Sequence, residues 1–229
     1  MSINVVERID DLVKIQNILV SVSDKSGLDR FIPDLVEINP GIRIFSTGGT
    51  FGRIREILGE SADGRLMRVS DFTGQPETQG GLVKTLDFKI YLGLLTETYN
   101  DAHQDDLKRT GSVPIDMVVV NLYPFKETIS KPDVSVEQAR GNIDIGGPCM
   151  IRASAKNYIR VASVVDPSDY ERILSVLKKN QASTTLDLRF QLAQKAFDHT
   201  AVYDRTIADF LVSKEINDVK NCYELENKE

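Results

Sequence analysis

The chain has 229 residues and a formal net charge of −6, with 41% hydrophobic and 27% charged residues. This composition is that of a folded globular protein and excludes a predominantly disordered chain. Proteins that bind nucleic-acid polymers without specificity usually carry a basic balance or a basic stripe. We therefore expect no nucleic-acid partner, and any bound anion must be held by local groups.

The sequence indicates neither a membrane segment nor a disulfide framework. No apolar run approaches the roughly 20 residues of a membrane-spanning helix, and charges interrupt the N-terminus too often for a secretory signal. The two cysteines, Cys149 and Cys222, favour a reducing compartment, which predicts a cytoplasmic protein without a membrane partner. His103 and His199 have no metal-ligand spacing around them, so no metal site is expected.

Strands and helices are predicted to alternate along the chain. Continuous apolar runs predict buried strands at residues 17–22, 41–45, 116–121 and 161–165. An amphipathic helix is predicted by the spacing of Leu28, Phe31, Ile32, Leu35 and Val36. Pro33 is expected to kink or shorten this helix, and a second helix is predicted over residues 51–58.

The predicted strands lack the alternation of a half-exposed sheet. Separated by helical patterns, they predict an α/β fold, a parallel sheet flanked by helices. After Thr184 the pattern is purely helical, so we predict one domain over residues 1–183 and a helical C-terminal extension over residues 184–229. Residues 213–229 are mostly charged and polar and are expected to fray. Sites in parallel sheets lie at the carboxyl ends of the strands, where most of the unusual motifs begin.

Two motifs follow the first two predicted strands. Residues 21–27 (SVSDKSG) place Ser23, Asp24 and Lys25 at a strand-to-helix turn, where backbone N–H groups and the helix dipole favour an anion. Alternatively, Ser23 or Asp24 is only a helix N-cap. Residues 46–50 (STGGT) offer hydroxyls and paired glycines at Ser46, Gly48, Gly49 and Thr50. Together the motifs predict a phosphorylated small molecule, unless the glycines serve only a tight turn.

Two further motifs carry groups suited to act on such a ligand. In residues 80–86 (GGLVKTL), Lys84 and Thr85 follow two glycines, although a solvated surface lysine is the commoner explanation. In residues 121–125 (NLYPF), Pro124 fixes a turn. Tyr123 then either presents its phenol to the site or packs in the core.

The fifth motif covers residues 142–157 (NIDIGGPCMIRASAKN). Asp144 precedes a Gly-Gly-Pro turn, and Pro148 is suited to the first position of a helix. Lys156 falls near the end of that helix, where a cation is also favoured for structural reasons. An aspartate and a lysine in one cleft could exchange protons, but their spacing does not decide this. From the residues alone, the interpretation stops at a phosphate-binding α/β domain.

In this order, the five motifs resemble those of the IMP cyclohydrolase family over about residues 17–211. The resemblance implies a methylglyoxal-synthase-like fold and the dehydrative closure of 5-formamidoimidazole-4-carboxamide ribotide to inosine monophosphate, without cofactor or metal. It also suggests a homodimer. Residues 195–211 resemble the segment that joins this domain to a formyltransferase in the bifunctional proteins. No formyltransferase activity is therefore expected, and whether a separate chain supplies that step stays open.

Carried over by position, the resemblance assigns two groups of residues. The ribose phosphate would be held by Ser23, Asp24, Lys25, Ser46, Gly48, Gly49 and Thr50. The base and its substituents would be surrounded by Lys84, Thr85, Asn121, Asp144, Ile145 and Gly146. Lys156 would donate or accept the proton with Asp144 as its partner, and Tyr123 and Lys84 would assist at the formyl group.

The third motif departs from the family pattern. Leu82 replaces an arginine, and Asp87 and Tyr91 replace histidines. Losing one charge-assisted hydrogen bond costs about 1.5–3 kcal/mol, so a purine-nucleotide-binding regulatory domain without turnover is the main alternative. Asp87 is expected near Lys84, where the two would pair. Methylglyoxal synthase is a third candidate, which the motifs NLYPF and NIDIGGP disfavour.

Overall fold

A parallel sheet forms the centre of the fold in a computed structural model of the chain, which describes residues 5–75 and 85–226. The strands in these ranges are β1 (Val13–Lys14), β2 (Asn17–Val22), β3 (Arg43–Ser46), β4 (Leu66–Arg68), β5 (Met117–Asn121), β6 (Ala162–Val164) and β7 (Ser183–Thr184). Five of them make the parallel sheet, in the order β4-β3-β2-β5-β6. The predicted parallel sheet and all four predicted strands are confirmed, and β4 is an additional short strand.

Helices cover both faces of the sheet. In the described residues they are α1 (Leu28–Ile38), α2 (Gly48–Leu58), α3 (Val69–Thr73), α4 (Phe88–Leu95), α5 (Asp101–Thr110), α6 (Phe125–Ile129), α7 (Val136–Arg140), α8 (Gly146–Lys156), α9 (Tyr170–Lys179), α10 (Leu186–Val212) and α11 (Ile216–Lys220). One apolar cluster joins Ile18 and Val20 of β2 to α1 and α9. The other joins Leu19 and Val118 to α4 and α8. Two-sided burial explains why the strands read as continuous apolar runs.

Helix α1 continues through Pro33 to Ile38, so the proline does not shorten it. Phe31, Ile32 and Leu35 are buried on either side of the proline. Tertiary packing of an apolar face supplies most of the stability of a helix in a protein, and here it outweighs the missing backbone donor.

Helix α10 packs along the β6 edge of the sheet. It contributes Leu188 and Leu192 to one apolar cluster and Ala193 and Ala196 to the other. The predicted boundary after residue 183 stays a prediction, but the helix after it is part of both clusters. Beyond α10, α11 is a short helix within the segment that was expected to fray. None of the described helices is both long and apolar enough to span a membrane.

A buried arginine fastens α10 to the N-terminal segment. The side chain of Arg189 is fully buried. Its guanidinium donates to the backbone carbonyls of Asp10 (2.8 Å), Asp11 (2.9 Å), Tyr158 (3.0 Å), Ile159 (3.2 Å) and Thr184 (2.8 Å). Burial lowers the pKa of Arg189 to about 10. Beside it, β1 and β7 pair antiparallel, with Val13 opposite Thr184.

Candidate active site

The SVSDKSG and STGGT segments are cross-linked at the carboxyl ends of β2 and β3. The hydroxyl of Ser46 donates to the carbonyl of Val20 at 2.7 Å. The hydroxyl of Thr50 donates to the carbonyl of Val22 at 3.0 Å and accepts the Val22 N–H at 3.1 Å. Ser46 and Thr50 are buried, and their hydroxyl protons are used within the scaffold. Their predicted contact with a phosphate stays a prediction, which would require these bonds to break.

The first turn of α2 leaves donors free at the same edge. The N–H groups of Gly48 and Gly49 have no intrahelical acceptor because these residues begin α2, and Thr47, which precedes the helix, makes no side-chain bond to that turn. Gly48 has a φ of 44°, which favours glycine. Lys25 crosses from the neighbouring loop, and its Cε lies 4.0 Å from the position a β-carbon would take on Gly49. We call Lys25 and the exposed N–H groups of Gly48 and Gly49 the cradle.

Asn121, the last residue of β5, clamps the loop that carries Lys25. Its Oδ1 accepts the N–H groups of Ser23 at 2.7 Å and Asp24 at 2.9 Å. Its Nδ2 donates to the carbonyl of Asp24 at 2.8 Å. The Asp24 carboxylate accepts the hydroxyl and N–H of Ser26, which lowers its pKa. Asn121 therefore sets the shape of the loop; its predicted contact with the base stays a prediction.

Asp144 is held against the NLYPF segment, where the backbone N–H of Tyr123, two residues beyond Asn121, supports its carboxylate. Its Oδ1 accepts the N–H of Gly147 at 2.9 Å, and its own N–H donates to the hydroxyl of Tyr203 at 2.8 Å. Burial raises the pKa of Asp144, although backbone N–H groups of Gly147 and Tyr123 act in the opposite direction. A β-carbon on Gly147 would lie 2.7 Å from Asp144 Oδ2 and 2.6 Å from Leu122. Glycine is therefore required for this close approach.

Other predicted residues gather around the Asp144 carboxylate. Thr85 is buried, and its hydroxyl oxygen lies 2.5 Å from the position a β-carbon would take on Gly146. Tyr123 and Ile145 are 60% and 57% exposed. The backbone N–H of Tyr123 supports the half-buried Asp144 carboxylate, and Ile145 follows Asp144 directly. A carboxylate with a raised pKa beside exposed apolar walls is suited to proton transfer on a bound molecule.

Lys156 is not brought to Asp144 within this chain. It is the last residue of α8, and Gly146 is the first. Ten residue steps along a helix correspond to about 15 Å. Asp144 accepts the Gly147 N–H in the first turn of α8, whereas Lys156 is exposed at the other end. Pro148 is the third residue of this helix and not the first, as predicted, because α8 already begins at Gly146. The catalytic pairing of Lys156 with Asp144 stays a prediction, because the fold of one chain places the two residues at opposite ends of α8.

The structure describes two of the residues that depart from the family pattern, Asp87 and Tyr91. Asp87 is the N-cap of α4, where its side chain accepts the N–H of Lys89 at 2.8 Å. Burial, and then the neighbouring Cys149, raise the pKa of Tyr91. Leu82 and Lys84 lie outside the described residues, and with them the predicted pairing of Lys84 with Asp87.

Helix α10 supplies site residues that the sequence motifs do not predict. Lys195, His199 and Tyr203 recur every four residues and so share one face of the helix. Lys195 contacts two aspartates that follow β6, and Tyr203 holds the backbone of Asp144. Burial lowers the pKa of His199. In the sequence, the only indication of this polar face was the recurrence of a polar side chain every four residues at Lys195, His199 and Tyr203. Across residues 5–75 and 85–226, no cluster of three His, Cys, Asp or Glu residues is arranged to hold a metal.

Comparison with protein families matches most of the chain in two parts. Residues 27–149 match the family described as MGS-like domain, and residues 154–229 match the family described as AICARFT/IMPCHase bienzyme. The first match covers more than half of the sequence. The second includes the whole of α10, which carries Lys195 and Tyr203.

Curated relatives carry the name bifunctional purine biosynthesis protein PurH. The chain is 48% identical to that of Thermoanaerobacter sp. (strain X514) over 196 residues. It is 46% identical to that of Bacillus subtilis (strain 168) over 199 residues and 50% identical to that of Enterococcus faecalis over 196 residues. The matches cover 86–87% of this chain but only 37% of each relative. The chain thus spans little more than a third of their length.

A solved structure shares both the fold and the extent of the chain. It is titled "Crystal structure of ForH" and superposes with a TM-score of 0.72 at 29% identity. The match covers 86% of this chain and 98% of that one. Together with the parallel sheet and the loops at its carboxyl edge, these similarities show that the chain belongs to the family of MGS-like domains, as a relative of the bifunctional purine biosynthesis protein PurH.

Proposed function

We propose that the protein binds a purine-precursor ribonucleotide and closes its second ring, as an IMP cyclohydrolase. One observation carries the proposal: the end of β5 links the cradle to a carboxylate with a raised pKa. Asn121 clamps the loop of Lys25, and two residues later the Tyr123 N–H supports Asp144. Relatives named for purine biosynthesis, and a family described as AICARFT/IMPCHase bienzyme, support the same conclusion.

The cradle is suited to a phosphate. The N–H groups of Gly48 and Gly49 begin an 11-residue helix, whose dipole favours an anion at this end. Lys25 adds a full positive charge above Gly49. Because Gly49 lacks a side chain, a phosphate oxygen can reach the backbone. The 5′-phosphate of the ribotide would bind here and leave its base directed toward Asp144.

The proposed reaction is an intramolecular dehydration of the formamido ribotide. The carboxamide nitrogen attacks the formyl carbon and loses one proton. The formamido nitrogen loses a second proton as its double bond to that carbon forms, and the formyl oxygen takes up two protons and leaves as water. Asp144 accepts the proton from nitrogen, since its raised pKa brings it closer to neutral pH. Tyr123 assists at the formyl oxygen, with Lys84 as its proposed companion. Holding both groups in contact supplies much of the acceleration, so the proposal needs neither cofactor nor metal.

The proposal also covers partners and setting. The phosphorylated nucleotide is the partner that the cradle would select. A formyl-transfer reaction must supply the formamido substrate, and no such activity is assigned to the described residues. We further propose a cytoplasmic homodimer, following the resemblance to the bifunctional proteins.

The alternative is a nucleotide-binding regulatory domain that has lost turnover. Two observations favour it. Asp87, in place of a family histidine, serves as the N-cap of α4, and Lys156 lies at the far end of α8 from Asp144. A domain of this kind would keep the cradle and bind the nucleotide without converting it.

A single pair of glycine variants tests the phosphate site. A methyl group on Gly49 would meet only Lys25 Cε, at 4.0 Å, so Gly49→Ala should fold normally but obstruct the cradle. Gly52→Ala, one turn further along α2, meets nothing within 4 Å and is the matched control. We expect wild type and Gly52→Ala to form inosine monophosphate, followed by ultraviolet absorbance, and Gly49→Ala to lose it.

The outcomes separate the two functions. Turnover that Gly49→Ala abolishes supports the cyclohydrolase. Tight binding of inosine monophosphate by wild type without turnover, again lost in Gly49→Ala, establishes the regulatory alternative. If wild type binds no phosphorylated nucleotide, or Gly49→Ala binds it equally well, the cradle is not the site and the proposal fails.

A further inference from the structure

Helix α10 brings a lysine to the edge of the sheet where the cradle lies. The Nζ of Lys195 is 2.7 Å from Asp166 Oδ2 and 2.7 Å from Asp169 Oδ2. Both aspartates follow β6, so they stand at the carboxyl edge. The Lys195 side chain is 39% exposed and that of Asp169 only 15%. Two carboxylates thus share one ammonium, which is the only cation bridging them in the described part of the chain.

These aspartates are close neighbours of the loop that forms the cradle. Tyr170 follows Asp169 directly, and its ring lies 3.2 Å from the position a β-carbon would take on Gly27, the last residue of SVSDKSG. Burial, and then the carboxylates of Asp24 and Asp166, raise the pKa of Tyr170. Asp166 also disfavours the charged form of Asp24, against the hydrogen bonds from Ser26, so the segment after β6 acts electrostatically on the loop that carries Lys25.

A phosphate dianion entering the cradle meets an edge rich in acids. Asp24, Asp166 and Asp169 carry three negative charges there, against the positive charges of Lys25 and Lys195. Without Lys195, three carboxylates would face one ammonium beside the anion. Charges at a cleft edge act on a ligand over several ångströms, and they do so most strongly at low ionic strength.

We propose that Lys195 is a positioning residue for phosphate binding: its ammonium offsets one of the two negative charges of Asp166 and Asp169 and so lowers the repulsion that a dianion in the cradle meets from this edge. It contacts the two aspartates rather than the ligand. This inference rests on the proposed phosphate site. It assigns to α10 a part in ligand selection that the motifs at the strand ends do not contain.

The test compares a phosphorylated ligand with its dephosphorylated form. Binding of inosine monophosphate and of inosine is measured by calorimetry for wild type, Lys195→Met and Lys195→Arg. We expect Lys195→Met to weaken binding of the monophosphate about three- to tenfold and to leave inosine unchanged. Lys195→Arg keeps the charge and should bind almost as wild type does. The loss should shrink at about 1 M salt, where screening is strong.

Two further sets of variants separate a local charge effect from a structural one. Replacing Asp166 and Asp169 by Asn in the Lys195→Met chain should restore binding of the monophosphate. In the wild-type background the same replacements should strengthen it. Lys178→Met is the matched control: it changes net charge equally, but Lys178 pairs with Asp34 at 3.7 Å, at the C-terminal end of α9. Thermal unfolding of each variant is recorded alongside.

The outcomes distinguish this inference from the proposed function. If wild type prefers the monophosphate to inosine and Lys195→Met keeps the full preference, the inference is overturned while the phosphate site stands. If Lys195→Met fails to fold, the Asp166→Asn/Asp169→Asn chain decides, and unchanged binding there overturns the inference. If wild type does not distinguish the two ligands, both the phosphate site and the inference fall.

Discussion

The hydroxyl oxygen of Tyr203 accepts the backbone N–H of Asp144 at 2.8 Å, and so ties α10 to the residue at the centre of the proposed chemistry. Tyr203 is 8% exposed, and its ring meets Phe125 edge-on with centroids 6.2 Å apart. The phenol thus fixes the turn before α8 from a position outside the cleft.

Removing that hydroxyl should loosen Asp144 without unpacking α10. We expect Tyr203→Phe to lower the free energy of unfolding by about 1–2 kcal/mol, because the Asp144 N–H loses its acceptor. Turnover should fall about tenfold, through misplacement of the carboxylate. Steady-state kinetics and thermal unfolding measure both effects. Tyr158→Phe is the control, since Tyr158 packs against Phe190 on the outer side of α10. Equal turnover in the two variants would contradict the positioning role.

Asp144→Asn should separate catalysis from stability. An amide oxygen can still accept the Gly147 N–H, so the bond to the first turn of α8 is kept. We expect turnover to fall at least about 100-fold, as for the loss of a general base, with binding of inosine monophosphate retained. Turnover of Asp144→Asn at the wild-type rate would exclude Asp144 as the proton acceptor.

The pH dependence follows from the raised pKa of Asp144. The folded pKa lies above the ordinary value of 3.8, so the folded state binds the proton more tightly, and stability from this group falls as pH rises from 3.8 through the folded pKa. At neutral pH the ionised carboxylate therefore costs stability, and Asp144→Asn should unfold at an equal or higher temperature. Turnover by wild type should rise with pH through the folded pKa. A decline over that window would contradict a base at Asp144.

Lys156 tests an assignment that rests on resemblance alone. If it donates or accepts the proton, Lys156→Ala should abolish formation of inosine monophosphate with no loss of stability, because the side chain is exposed. Arg152→Ala, one turn earlier and also exposed, is the control. Since Lys156 and Asp144 lie at opposite ends of α8, mixing Lys156→Ala and Asp144→Asn chains should restore activity if the lysine serves a second copy. Full activity of Lys156→Ala alone would remove it from the mechanism.

Arg189 should be the costliest arginine of α10 to replace. Arg189→Met leaves five carbonyls without their donor, and we expect a loss of about 3–5 kcal/mol in the free energy of unfolding. Arg205→Met is the control on the same helix, because Arg205 is 76% exposed and faces Asp209 at 3.9 Å. Urea denaturation measures both. A loss below about 1 kcal/mol for Arg189→Met would show that water can replace the guanidinium.

The strands could be predicted because strands that are buried on both faces have unbroken runs of apolar residues in their sequence. β4 escaped prediction, since it has three residues and only Leu66 is partly buried. Helix α2 begins at Gly48, three residues before its predicted start, because two glycines give no helical signal. The position of the motifs at the carboxyl edge of the sheet could also be predicted, because the carboxyl ends of parallel strands lie at the same edge.

The direction of individual side chains could not be predicted in the same way. Ser46 and Thr50 are residue types found in phosphate-binding loops, but their hydroxyls donate to backbone carbonyls of β2. Whether a hydroxyl reaches such a carbonyl depends on the register between β2 and β3, which the sequence does not reveal. Lys195 and Tyr203 act on residues 26 and 59 positions away in the chain, and their part emerges only from the packing of α10.

The bonds between Arg189 and the carbonyls of Asp11 and Asp10 join parts of the chain that are 178 and 179 residues apart. Contacts between residues so far apart in the sequence slow the folding of the chain, because the loop between them must close before they can form. During synthesis, the sheet strands emerge long before α10 is available to cover the β6 edge. Folding is therefore expected to finish only after α10 has left the ribosome, because the N-terminal segment cannot bond to Arg189 before then.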